Sequence, residues 1–116
     1  MNTTCSVWKP VDMVSSDIVK IAKKQLALDC KVGHAGTLDP FAEGVLVLCF
    51  GEKTKEVSNI LEMQKEYLGK IRLGVETDTL DKTGEVYKKA KISNLDNTQI
   101  LKVFEKFTGA IEQHPP

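Results

Sequence analysis

Net charge is the first thing this sequence lacks, since Lys+Arg and Asp+Glu number 16 each. A balanced chain has no overall pull on a polyanion, so composition alone names no nucleic-acid partner. There is no CxxC pair either. Cys5, Cys30 and Cys49 form an odd, scattered set, which argues against a disulfide scaffold and for a reducing compartment. Long apolar runs are missing too. The longest, Val45 to Phe50, is far below the ~20 residues a membrane-spanning helix needs. The start, Met1-Asn2-Thr3-Thr4-Cys5, lacks the basic and apolar stretches of a secretory signal. These absences lead us to expect a soluble, cytoplasmic protein, in which the Asn2-Thr3-Thr4 glycosylation pattern is chance. No internal repeat or low-complexity tract appears.

What remains is 116 residues with 41% hydrophobic content, enough for one domain with its own core. Ser15-Ser16-Asp17 offers capping residues and a first-turn acid, and Ile18, Val19, Ala22 and Leu26 recur at helical spacing as far as Leu28. Lys31 to Pro40 carries two glycines and a proline without apolar periodicity and reads as a loop. Val45 to Phe50 is continuously apolar between Gly44 and Gly51 and reads as a buried strand. Thr54 is placed to cap a helix that turns Val57, Ile60 and Leu61 inward.

Tyr67, Gly69, Ile71 and Leu73 alternate with Leu68, Lys70 and Arg72 as in a half-buried strand. Asp81-Lys82-Thr83-Gly84 has turn composition, and Glu85 to Lys88 reads as the returning strand of a hairpin. From Asp96 or Asn97 a last helix sets Ile100, Val103, Phe104 and Phe107 on one face and stops at Gly109. The order of elements predicts an α+β (mixed α/β) domain rather than a bundle or sandwich. Gln113-His114-Pro115-Pro116 is extended, as though the chain stopped short of a further strand.

Chemistry concentrates in Gly33-His34-Ala35-Gly36-Thr37-Leu38-Asp39-Pro40. Its two glycines let backbone approach a bulky ligand, and His34 and Asp39 supply a polar ring and a carboxylate. Taken singly, an Asp before Pro is more often a turn residue and a lone His a structural one.

In context, Gly33 to Lys55, GHAGTLDPFAEGVLVLCFGEKTK, resembles the signature of the TruB family of tRNA pseudouridine synthases nearly residue for residue. Further pieces follow in the same order: Lys9-Pro10 with Ser15, Lys65-Glu66-Tyr67, Leu73 to Asp81 with Gly84, and Phe107-Thr108-Gly109 with Gln113 and Pro115-Pro116. The Thr77 to Gly84 segment is similar to the bacterial tRNA branch. Asp12 and Val14 depart from the pattern, standing where the family usually has glycine and a hydroxyl residue.

The resemblance implies a pseudouridine synthase catalytic domain, a mixed sheet flanked by helices, of which residues 1–116 supply the N-terminal part. The rest of that domain and a C-terminal RNA-binding domain are expected to lie beyond Pro116. It also implies isomerisation of the T-loop uridine of tRNA, position 55 in tRNA numbering, with the tRNA T-arm as partner and neither cofactor nor metal.

By the match, Asp39 is the catalytic carboxylate, acting either as nucleophile at the sugar carbon or as base on the neighbouring carbon. His34 helps displace the target nucleotide and Tyr67 stacks on the flipped base. Gly36, Thr37, Lys55 and Asp81 are further substrate-side candidates, with Asp81 equally readable as a turn residue. A basic partner for Asp39 is expected beyond Pro116. Lys9, Lys20, Lys23, Lys24, Lys53 and Lys55 are candidates for phosphate contacts, although scattered lysines are usually only a solvated surface. An incomplete domain also exposes a sheet edge, which favours self-association.

Three other readings are weaker. Gly33 to Gly36 fits the GxxG loop of a non-catalytic KH-like RNA-binding module, the main alternative, but that module needs helices directly on both sides. Asp81-Lys82-Thr83-Gly84 resembles the phosphorylated motif of P-type ATPases, yet Glu85 follows where threonine belongs. Cys30 and His34 lack the paired spacing and four ligands of a structural zinc site.

Overall fold

Val45 to Phe50 lies at the centre of the first of two units. The computed structural model describes residues 1–116 and divides into Met1–Tyr67 and Leu68–Pro116. In the first unit, β1 (Thr3–Lys9) and β2 (Val32–Ala35) pair antiparallel with opposite edges of β3 (Gly44–Phe50). The run is apolar on both faces although only one is fully covered: on the other, Cys49 is buried, Val47 half-buried and Val45 exposed. Leu46, Leu48 and Phe50 point to one side and form the core. The helix α1 (Ser15–Gln25) packs Ile18, Val19 and Ala22 onto them, and Val7, Leu28, Cys30 and Val32 complete the cluster. Cys49, on the opposite face, is also fully buried.

Several local expectations change. The segment Lys31 to Pro40 is not loop throughout, because Val32–Ala35 pairs with β3 from Val32↔Phe50 to Ala35↔Val47. Its glycine and short length hid a strand whose pairing comes from the neighbour. The serines do not cap α1: the N-cap is Val14, with no side-chain cap. Thr54 caps nothing either. A 3-10 helix spans Gly51–Glu56, where the Thr54 hydroxyl donates to the Gly51 carbonyl at 2.8 Å, and α2 (Val57–Leu61) follows. Gly51 itself is at φ 60, and an added Cβ would lie 2.3 Å from the Met1 carbonyl oxygen, so glycine is required there.

The second unit is built around a hairpin of β4 (Val75–Thr77) and β5 (Val86–Lys89). The turn and the returning strand stand where their composition put them, but β5 pairs with β4 and not with Tyr67 to Leu73. That stretch forms no strand: Tyr67, Leu68, Ile71 and Leu73 are exposed. Alternation names a face, but a strand also needs a partner for its backbone, and none pairs here.

The last helix, α3 (Asn97–Glu105), starts at a capping box. Asp96 accepts from the Gln99 N–H at 2.8 Å while Gln99 accepts from the Asp96 N–H at 3.0 Å. Its Val103 and Phe104, with Phe107 beyond it, share a face as expected, yet all three remain exposed. No residue of this unit is buried. Helices beside antiparallel sheets make the chain α+β. No helix is long and apolar enough to cross a membrane.

Candidate active site

Asp39 stands in the connection 36–43 between β2 and β3. Gly36 opens that connection at φ 91, where an added Cβ would meet nothing within 4 Å. Glycine is thus needed for backbone conformation and not for space. Ala42 N–H then donates to the Asp39 carbonyl at 3.0 Å, closing a turn with proline second, the position its fixed φ favours. The Asp39 side chain is exposed and no group of the chain hydrogen-bonds or ion-pairs with it. A carboxylate presented in this way is open to a substrate.

Residues 9 to 15 hold the loop on both sides of Asp39. Lys9 is 0% exposed, and its Nζ donates to the carbonyls of Pro10 (2.8 Å), Met13 (2.5 Å) and Pro40 (3.4 Å). Three donors meet three acceptors, which satisfies a buried ammonium. Asp12 N–H donates to the same Pro40 carbonyl at 2.6 Å. On the other side Ser15 Oγ accepts from Leu38 N–H at 3.0 Å and donates to the Leu38 carbonyl at 3.3 Å.

Asp12 sits at φ 62, a left-handed conformation that glycine adopts freely and aspartate tolerates. The departure from the family's glycine therefore leaves this turn intact.

Lys9 and Ser15 were missed as site residues for a physical reason. A lysine in sequence reads as solvated surface, and only the folded positions of the Pro10, Met13 and Pro40 carbonyls make its burial tolerable. The Lys9-Pro10 and Ser15 match was the available signal. Lys9 is accordingly no phosphate ligand. Of the other lysines, Lys20 pairs with Asp17 at 2.8 Å, Lys53 with Glu56 at 2.6 Å, and Lys55 with Glu52.

The remaining candidates are placed as follows. His34 opposes Leu48 across the β2–β3 ladder, half-buried, with its Nδ1 buried and unpartnered. Thr37 is exposed within the Asp39 loop, and Lys55 is exposed in the 3-10 helix. Tyr67 is exposed at the end of the first unit. Asp81 belongs to the second unit and shapes its turn: its carboxylate accepts from the Thr83 N–H (2.8 Å), the Thr83 hydroxyl (2.5 Å) and the Thr79 hydroxyl (2.8 Å). Those bonds, led by the Thr83 hydroxyl, hold its carboxyl below the usual aspartate value.

Gly33 to Ala35 lies in a strand and Gly36 leads into the Asp39 loop, so the flanking helices of a KH grip are not there. No group of three or more His, Cys, Asp or Glu could hold a metal ion.

Comparison with known proteins gives the family. The family described as TruB family pseudouridylate synthase (N terminal domain) matches residues 21–116, which include Asp39. A tRNA pseudouridine synthase B from Clostridium tetani is 43% identical over 116 residues, covering 100% of this chain and 40% of that protein. Its namesake in Clostridioides difficile is likewise 43% identical, with 38% of its length covered. One from Chloroherpeton thalassium is 41% identical over 111 residues, or 93% of this chain and 46% of that protein. The chain thus spans less than half the length of these curated relatives, and within that span it belongs to the TruB family of pseudouridylate synthases.

Proposed function

We propose that residues 1–116 form the N-terminal part of a catalytic domain that converts the T-loop uridine of tRNA, position 55, to pseudouridine, with Asp39 as the catalytic carboxylate. One observation carries the reading: in a family of pseudouridylate synthases, Asp39 is exposed and unpartnered on a loop tied down on both sides. The reaction needs no external reactant. The bond from uracil N1 to the sugar carbon breaks, the base turns, and C5 bonds to that same carbon. C5 loses its proton and N1 ends protonated. Asp39 serves in its ionised form, either by attacking the sugar carbon or by removing the proton from the adjacent one.

The target base must leave its stack, at a cost of a few kcal/mol. His34, next to the loop, and Tyr67, an exposed ring, are the groups proposed to offset it by displacement and stacking. Gly36 and Thr37 line the approach to Asp39. Lys55 is a weaker candidate because Glu52 already engages it. Asp81 serves its turn, a structural task. The outer edges of β1 and β2 have no partner strand, which supports self-association of this chain by edge pairing. A concentration-independent monomer in sedimentation would contradict that last point.

The enzymatic reading is tested with a T-arm RNA carrying tritium at uracil C5, in single turnover with protein in excess. Tritium release is expected from the T-loop uridine and not from an RNA labelled only at stem uridines. Equal release from both would refute the substrate assignment.

A further inference from the structure

Nothing in this chain grips the Asp39 side chain, so its placement depends on its backbone. On the C-terminal side Pro40 restricts that backbone through its ring. On the N-terminal side the contact is Ser15. Its Oγ accepts from Leu38 N–H at 3.0 Å and donates to the Leu38 carbonyl at 3.3 Å. That carbonyl belongs to the Leu38–Asp39 peptide, so one hydroxyl fixes the orientation of the peptide plane from which Asp39 extends. Ser15 is 2% exposed, which removes water as a competing partner.

The usual use of a serine at a helix start is absent here. It would cap the helix, but α1 has Val14 as N-cap and no side-chain cap. The Ser15 hydroxyl is committed to the loop.

We propose that Ser15 is a positioning residue for Asp39, joining the start of α1 to the loop and setting the direction of the carboxylate. The proposal deepens the enzymatic reading and rests on it. Misplacement by a fraction of an ångström to an ångström lowers rates on the order of tenfold to a hundredfold without altering the reacting group. Binding of RNA, spread over many contacts, is not expected to change.

The test uses residues 1–116 joined to the remaining sequence of the Clostridium tetani relative, as the parent and with Ser15→Ala, Ser15→Thr and a control, Gln25→Gly, which weakens α1 at an exposed position. Hydrogen exchange should show a protected Leu38 amide in the parent. In Ser15→Ala that amide should exchange at least about tenfold faster while Leu46 and Leu48 keep their rates. The saturating single-turnover rate of tritium release should fall about tenfold or more, with the half-saturating protein concentration unchanged. Ser15→Thr should recover both readouts, and Gln25→Gly should alter neither.

A parent that protects Leu38 through Ser15 but releases no tritium would refute the enzymatic reading and uphold the tie between Ser15 and the loop. An unprotected Leu38 amide, or exchange and rate unchanged in Ser15→Ala, would overturn the positioning role. So would an equal fall in rate in Gln25→Gly.

Discussion

Lys9 places its Nζ 3.4 Å from the Pro40 carbonyl oxygen, so a fully buried ammonium on β1 supports the residue that follows Asp39. The same Nζ holds the Pro10 and Met13 carbonyls, and removing it takes the side-chain donor from these part-buried acceptors at about 1 to 3 kcal/mol each. Lys9→Met, which keeps the apolar stem, is expected to destabilise the first unit by about 3 kcal/mol. Urea unfolding followed by fluorescence of Trp8, the only tryptophan, measures it. A loss below about 0.5 kcal/mol would mean that the clamp contributes little.

The turn between β1 and α1 makes a second prediction. Asp12 at φ 62 donates its N–H to Pro40, and glycine keeps both the conformation and the donor. Asp12→Gly should match or exceed the parent in thermal stability. Asp12→Val, a β-branched residue forced to positive φ, should cost about 1 to 2 kcal/mol. Equal melting of the two variants would contradict the strain argument.

The two units should respond unequally to truncation. Leu48 lies at the centre of the first unit's core, and Leu48→Ala should cost about 3 kcal/mol through lost burial and the cavity left behind. Phe104 on α3 is 55% exposed, so Phe104→Ala should cost less than about 1 kcal/mol. Chemical unfolding of each variant reads the difference, and a larger loss for Phe104→Ala would show a covered face on α3.

What the sequence disclosed divides along physical lines. β3 was legible because a run of apolar residues between glycines has few other uses. The start of α3 was legible because Asp96 and Gln99 cap it by a local rule. The Asp39 loop came through family resemblance, since a lone Asp-Pro pair specifies only a turn. The tie from Ser15 to Leu38 was hidden because its partner is distant in sequence, and the burial of Lys9 because it depends on how the turn after β1 folds back and on Pro40. Tyr67 to Leu73 misled for the opposite reason: its alternation is local, but strand formation is not.

The Asp81 turn gives a pH dependence. Its carboxyl is held below the ordinary value by Thr83 and Thr79, so the ionised form is favoured in the folded hairpin. Stability from this source is present above the unfolded-state value and is lost as pH falls through the lowered folded one. Glu76, lowered first by the Tyr87 hydroxyl and then by Lys88, adds in the same direction. Carbon-13 titration of the Asp81 carboxyl should give a midpoint below that of an exposed aspartate, and Thr83→Ala should raise it. An unchanged midpoint in Thr83→Ala would contradict the assigned cause.

The most direct test of the central claim is tritium release from C5-labelled T-arm RNA by residues 1–116 joined to the remaining sequence of the Clostridium tetani relative, with Asp39 and with Asp39→Asn. The account predicts release by the first and none by the second, with equal folding and RNA binding. Release by Asp39→Asn at the parent rate, or no release by a folded, RNA-binding parent, would contradict it.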